Sequence, residues 1–113
     1  MLVLKRVPAR FYRSPSGAEP VRDWLRGLSK QDRRIIGTDI KTVEYGWPIG
    51  MPVCRPLGDG IFETRSSLRD RIARVLFCIH ENQMILLHGF IKKANQIPKR
   101  DLDLARTRGA EMT

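Results

Sequence analysis

The apolar positions in the first half of the chain repeat every three or four residues, which predicts two helices. The first helix begins at Pro20, a residue suited to a first turn, and ends near Leu28. The second is opened by Ser29, which with Asp32 resembles a capping box, and is closed near Gly46. The short connection between the two helices indicates a helical hairpin that packs on a sheet.

From residue 52 onward the apolar residues alternate with polar ones, as is typical of strands. Turn sequences separate the runs and predict strands near 53–57, 61–67, 71–80 and 83–93. At the N-terminus, residues 2–13 read as an extended segment in which Pro8 favours an edge position or a bulge. In the tail, Pro98 predicts the first turn of a short terminal helix.

The hairpin turns determine which residues can share a face of the sheet, since side chains alternate along a strand. A first turn at residues 67–70 places Glu63 opposite Arg74. A second turn at residues 80–83 places Arg74 opposite Gly89. One face then gathers Glu63, Arg65, Arg74 and Lys93, with Gly89 leaving a gap where a ligand could approach.

The other face is the more continuously apolar one, and we expect it to pack on the helical hairpin. In this register it also carries His88, Phe90 and Lys92. We expect His88 to be a packed core histidine, because no carboxylate or cysteine is spaced along the chain to use it.

A cation among core-type strand positions is costly unless it is paired or opens onto a cleft, so the charged face predicts anion binding. A simpler interpretation stays open. Glu63 and Arg74 could be an ordinary cross-strand ion pair, and Lys92 and Lys93 could be a strand end that reaches solvent.

The net charge is +9, from 21 Lys+Arg against 12 Asp+Glu, and it favours polyanionic partners, of which nucleic acid is the commonest. A membrane surface is disfavoured because no helix has the pattern of a basic amphipathic anchor. Cys54 and Cys78 are isolated and no signal peptide is apparent, so we expect a reduced, cytoplasmic protein without a zinc site.

Three motifs follow one another in an order that resembles a known family: GIFETR at 60–65, RxxRVLF at 71–77 and LLHGFIKK at 86–93. Together they resemble the RelE/HigB-like toxins of type II toxin-antitoxin systems, specifically their phage-derived branch. The resemblance covers nearly the whole chain and implies that residues 1–113 form a single toxin domain.

The fold implied by the resemblance is α+β, with two N-terminal helices packed on a mostly antiparallel twisted sheet of four to five strands and a short C-terminal helix. The implied activity is ribosome-dependent cleavage of mRNA, an endoribonuclease reaction that inhibits translation and needs no metal or cofactor. The implied partners are mRNA on the ribosome and a cognate antitoxin, often a helix-turn-helix protein.

By position, Arg65, Arg74, Lys92 and Lys93 match the phosphate-binding and catalytic cations of that family, whereas Glu63 falls where RelE has a lysine. We expect Arg65 and Arg74 to hold the scissile phosphate, and Lys92 or Lys93 to supply a proton or assist the base. Glu63 is either an alternative base or an orienter of an arginine. The identity of the general base stays open.

Two other functions are compatible with the same sequence. One is a toxin of the same fold without nuclease chemistry that blocks another target, as ParE-like proteins block DNA gyrase. The other is a basic module whose cationic face serves only an antitoxin or nucleic acid.

Overall fold

The computed structural model describes residues 4–50, 53–92 and 96–112. Its elements along the chain are β1 (Ala9–Phe11), α1 (Pro20–Arg26), α2 (Lys30–Gly46), β2 (Cys54–Gly58), β3 (Ile61–Leu68), β4 (Arg71–His80), β5 (Gln83–Lys92) and α3 (Lys99–Ala110). The predicted α+β class with two N-terminal helices, a mostly antiparallel sheet and a C-terminal helix is confirmed.

The five strands form one sheet in the order β1-β5-β4-β3-β2. The strands β2 to β5 pair antiparallel with their neighbours, while β1 runs parallel to β5 at the edge. The edge position predicted for the N-terminal segment is confirmed for residues 9–11. A proline next to an edge strand is tolerated, and the Pro8 carbonyl accepts a hydrogen bond from the Met84 N–H at 2.9 Å.

The helix boundaries follow local capping chemistry. Ser29 caps α2, because its hydroxyl accepts a hydrogen bond from the Asp32 N–H at 3.1 Å, as the capping-box pattern predicted. α1 ends two residues before the predicted Leu28. Pro98 is the N-cap of α3 and lies just before its first turn.

The helices cover the two faces of the sheet unequally. α1 and α2 pack on one face, the helix-hairpin face, over a large core of buried residues: Val7, Val21, Ile36, Ile40, Val43, Cys54, Leu68, Ala73, Val75, Phe77, Met84 and Leu86. α3 packs on the other face, the α3 face, over a smaller cluster: Tyr12, Ile61, Leu76, Ile85, Leu87, Phe90 and Ala105.

The first hairpin turns later than predicted. Leu68 pairs with Arg71, so the turn is formed by two residues, of which Asp70 has a φ of 61°. The predicted pairing of Glu63 with Arg74 is therefore wrong: Arg65 lies opposite Arg74. The error is two residues, and an even shift leaves every side chain on its predicted face.

The second hairpin turns where predicted, with His80 opposite Gln83, but its register shifts further along. Phe77 pairs with Leu86, whereas the preceding Leu76 pairs with His88, so β5 contains one extra residue at a bulge. Beyond this bulge the predicted register is wrong.

The bulge reverses the facing of the last part of β5. Arg74 lies opposite Phe90 and not opposite Gly89. Gly89 faces the helix hairpin, where a Cβ atom would come within 2.3 Å of the Trp24 ring. The predicted ligand gap at Gly89 is therefore wrong, because Trp24 fills that space. His88 and Phe90, which we expected against the helices, lie on the α3 face.

Candidate anion-binding site

Four charged residues, here called the charged cluster, meet on the α3 face of the sheet: Arg55, Glu63, Arg65 and Arg74. Arg55 pairs with Glu63 across β2 and β3, and Arg65 pairs with Arg74 across β3 and β4. Residues directly opposite in a sheet point to the same side. The structure thus brings Glu63, Arg65 and Arg74 together as the alternation predicted.

Arg55 is a member of the cluster that the sequence reasoning missed. It alternates with the buried Cys54 in the short strand β2, which is the signal that could have placed it on the charged face. The strand was too short for its pairing to be predicted.

Glu63 lies at the centre of the cluster and has no exposed surface. Its Oε1 is 2.9 Å from Arg55 Nη2 and 4.0 Å from Arg65 Nε. Burying a carboxylate is unfavourable unless cations compensate it, and these arginines do so. With no accessible oxygen, Glu63 is better placed to orient the arginines than to take a proton from a substrate.

Arg74 is also fully buried. Desolvation lowers the pKa of its guanidinium, Glu63 raises it, and Arg65 and Arg55 lower it. An arginine nevertheless stays charged because its intrinsic pKa is so high. Arg74 therefore adds a fixed, buried positive charge that interacts favourably with the carboxylate of Glu63.

Arg55 and Arg65 form the accessible part of the cluster. Their side chains are 34% and 30% exposed. The cluster combines three guanidinium groups with one carboxylate and so carries a net positive charge. Guanidinium groups held in place and facing solvent can bind the oxygens of a phosphate or carboxylate in a bidentate manner.

Of the two predicted lysines, Lys92 is the last residue of β5. The backbone of Lys92 pairs with Ile72, two residue pairs beyond the pair formed by Arg74 and Phe90. Lys93 lies outside the described residues. Their roles stay predictions.

A histidine and a carboxylate meet on the same face, which the sequence reasoning did not foresee. His88 Nε2 is 2.7 Å from Asp101 Oδ1, and the imidazole stacks on Phe90 with ring centroids 5.4 Å apart. The expectation of a histidine without a carboxylate partner is wrong. Asp101 belongs to the first turn of α3, which folds back over the sheet, and spacing along the chain cannot reveal such a contact.

His88 is connected to the charged cluster through the sheet. It pairs with Leu76 on β4, and Leu76 pairs with Glu63 on β3. Two strand spacings separate the Cα atoms of His88 and Glu63 by about 10 Å. The His88 side chain is 17% exposed, so its imidazole is partly accessible.

The described residues include neither a metal-binding group nor a membrane-spanning helix. Among these residues, no three His, Cys, Asp or Glu side chains are grouped so that they could hold a metal ion. In the same part of the chain, no helix is long and apolar enough to cross a membrane.

Comparison with known proteins places the chain in a family. Residues 23–109 match the family described as Phage derived protein Gp49-like (DUF891). The chain belongs to the Gp49-like family. This family is associated with toxin-antitoxin systems and is RelE-like, which agrees with the coarse part of the resemblance found in the sequence. No curated protein matches the chain.

The matched region of this Gp49-like protein contains the whole charged cluster and the pair formed by His88 and Asp101. Membership therefore concerns the part of the molecule that carries the candidate site. The narrower assignment to the RelE/HigB subtype stays a prediction.

Proposed function

We propose that this Gp49-like protein is the toxin of a toxin-antitoxin system and a metal-independent endoribonuclease that cleaves mRNA on the ribosome. The observation that carries the proposal is the pair of partly exposed arginines, Arg55 and Arg65, anchored by the buried Glu63 in a protein of net charge +9. Such a surface suits a phosphodiester whose charge increases during the reaction.

Cleavage of RNA without a metal requires the ribose 2′-OH to attack its own phosphate while the 5′-oxygen leaves. In the proposed reaction Arg55 and Arg65 bind the non-bridging phosphate oxygens and stabilise the extra negative charge of the transition state. The ion pairs with Glu63 hold the two side chains in place before substrate arrives, which lowers the cost of ordering them. The buried Arg74 adds a further positive charge close to Glu63.

Proton transfer is assigned to His88. Its imidazole lies on the same face as the arginines, and Asp101 fixes the orientation of its ring at a 2.7 Å contact. A histidine so held can accept the proton of the 2′-OH or donate one to the leaving 5′-oxygen. Lys92 and Lys93 remain candidates to assist this transfer, as the resemblance implies.

A cognate antitoxin is the second proposed partner. The excess of 21 Lys+Arg over 12 Asp+Glu favours an antitoxin segment rich in acidic residues, because opposite charge accelerates association. Such a segment would neutralise the toxin if it covered Arg55 and Arg65.

The test is inducible expression in a bacterial host, with growth measured and the 5′ ends of cellular mRNA mapped. We expect growth arrest and mRNA truncated within translated regions. Arg65→Ala should lower cleavage by about 10²–10³-fold, the effect of removing one preorganised charge-stabilising donor. Arg33→Ala is the matched control, because Arg33 is an exposed arginine that belongs neither to the charged cluster nor to its ion pairs.

Intact transcripts together with arrested DNA replication would overturn the nuclease proposal in favour of a gyrase-directed toxin. A protein without any effect on growth would leave only the basic binding module.

A further inference from the structure

A cavity of about 500 Å³ adjoins the charged cluster. Its lining comes from α2, from the residue before β2 and from the outer ends of β3 and β4: Ile35, Asp39, Val53, Arg65, Ser67 and Ile72. The volume lies in the range of small-ligand sites in proteins.

Arg65 connects the cavity to the proposed phosphate site. Its Nε lies 4.0 Å from Glu63 Oε1 in the charged cluster, and the same side chain lines the cavity. A phosphate bound to Arg65 therefore lies at the mouth of the cavity. Whatever is covalently attached to that phosphate is the group best placed to enter.

Asp39 is the unusual residue of the lining. It is half-buried, and within the described ranges it forms no hydrogen bond or ion pair, although the chain has a large excess of cations. It lies four residues after Ile35 on the same side of α2, which directs both toward the cavity. A half-buried carboxylate without a partner is an available acceptor of hydrogen bonds.

The rest of the lining is suited to a partly apolar ligand. Ile35, Val53 and Ile72 are partly exposed aliphatic side chains, and Ser67 adds an exposed hydroxyl. Proteins that read nucleic-acid bases commonly take them unstacked, pack them against apolar side chains or arginine guanidinium planes, and hydrogen-bond their edges.

We propose that this cavity binds a guanine base adjacent to the phosphate held by Arg65, with Asp39 reading the base. The inference rests on the proposed function, since it takes RNA as the substrate. Among the four RNA bases, guanine alone presents two neighbouring donors, N1–H and the N2 amino group, on its Watson–Crick edge. A carboxylate accepts hydrogen bonds from both.

The test is equilibrium binding of short single-stranded RNAs to the purified protein. Each oligonucleotide carries 2′-O-methyl groups to prevent cleavage, and has guanine, inosine or adenine at one position. Inosine lacks only the N2 amino group of guanine. We expect guanine to bind about 10-fold more tightly than inosine, the usual effect of one well-placed base contact.

Asp39→Ala should reduce the preference for guanine to less than about twofold, and Asp39→Asn, which keeps one acceptor, should give an intermediate value. Asp23→Ala is the matched control, because Asp23 is an exposed carboxylate on α1. Circular dichroism of each variant checks its folding. Equal wild-type affinity for guanine and inosine, or a preference that survives Asp39→Ala, would overturn the proposal.

Arg65→Ala separates this inference from the proposed function. It should weaken all of the oligonucleotides alike and leave the ratio between guanine and inosine unchanged. A guanine preference in binding without any mRNA cleavage in cells would overturn the proposed nuclease activity and support the base site. Cleavage in cells without a base preference in binding would support the nuclease activity and overturn the base site.

Discussion

The two faces of the sheet use the same strands for different purposes. On the helix-hairpin face, α1 and α2 pack over a continuous apolar core, and the Trp24 ring occupies the space beside Gly89. On the α3 face, a smaller apolar cluster stops short of the charged cluster, where Glu63 and Arg74 are buried but Arg55 and Arg65 reach solvent. The first face supplies stability, and the second places charge where a ligand can reach it.

The α3 face buries charged side chains, and this burial costs folding stability. Arg74 lies within a run of β4 residues, 73–77, that are all buried. Such a position normally carries an apolar residue, because a buried ion is seldom better for stability than a well-packed hydrophobic side chain. The charges on this face are therefore better explained by function than by folding.

The largest expected effect comes from Glu63→Ala, which should lower the free energy of unfolding by about 3–5 kcal/mol, because the buried guanidinium of Arg74 loses its central carboxylate. Chemical denaturation measures it. Arg55→Ala, which removes a partly exposed partner and leaves Arg65 and Arg74 beside Glu63, should cost less, about 1–3 kcal/mol. If the two variants were equally stable, the cluster would not be a buried unit.

Alkaline pH should weaken the helix-hairpin face through Cys54. Burial, and to a lesser degree Glu63, raise the pKa of this thiol to about 11, so the folded protein resists forming a thiolate that the unfolded chain forms near pH 9. The stabilisation is complete below pH 9 and is lost as pH rises to about 11, a change of about 2–3 kcal/mol. The unfolding free energy, measured by denaturation at a series of pH values between 9 and 11, should fall more steeply with pH in the wild type than in Cys54→Ala. An equal fall in both proteins would contradict the assignment.

Gly89→Ala tests how tightly the helix-hairpin face is closed. The new methyl group would overlap the Trp24 ring, and we expect a loss of about 1–3 kcal/mol in unfolding free energy. Gly37→Ala should act in the opposite direction by about 0.5–1 kcal/mol, because that glycine lies inside α2 with open space around it. Thermal unfolding of the two variants provides the comparison, and a neutral Gly89→Ala would mean that Trp24 moves aside freely.

The smallest expected effect concerns the docking of α3. Asp101→Asn removes the charge from the hydrogen bond to His88 and should cost about 1 kcal/mol in unfolding free energy, with slower RNA cleavage because the imidazole is held less firmly. Asp103→Asn serves as the control, since Asp103 is on the exposed side of α3. An unchanged cleavage rate in Asp101→Asn would show that the contact only anchors the helix.

Much of the fold could be predicted because its signals are local. The cap at Ser29, the proline that precedes α3 and the tight turn after His80 each depend on a few neighbouring residues. The common face of Glu63, Arg65 and Arg74 followed from the alternation along β3 and β4 alone, and it survived a register error of two residues.

The bulge in β5 and the contact of His88 with Asp101 could not be predicted, for a related physical reason. Residues 84–87 are buried on both faces of the sheet, so no polar residue marks where the alternation changes. A prediction that assumes strict alternation along β5 therefore assigns His88 to the wrong face of the sheet. The burial of Arg74 likewise depends on packing from several elements and leaves no mark in the sequence.

The bulge also determines how the loss of one residue from β5 affects the direction in which its side chains face. Before it, Met84 and Leu86 point to the helix hairpin; after it, Gly89 and Ile91 do. Losing the extra residue, Leu87, would restore a regular alternation and leave His88 opposite Leu76 and on the α3 face. A residue lost at the bulge therefore preserves the facing of β5, whereas a residue lost beyond the bulge would exchange the inward and outward sets that follow it.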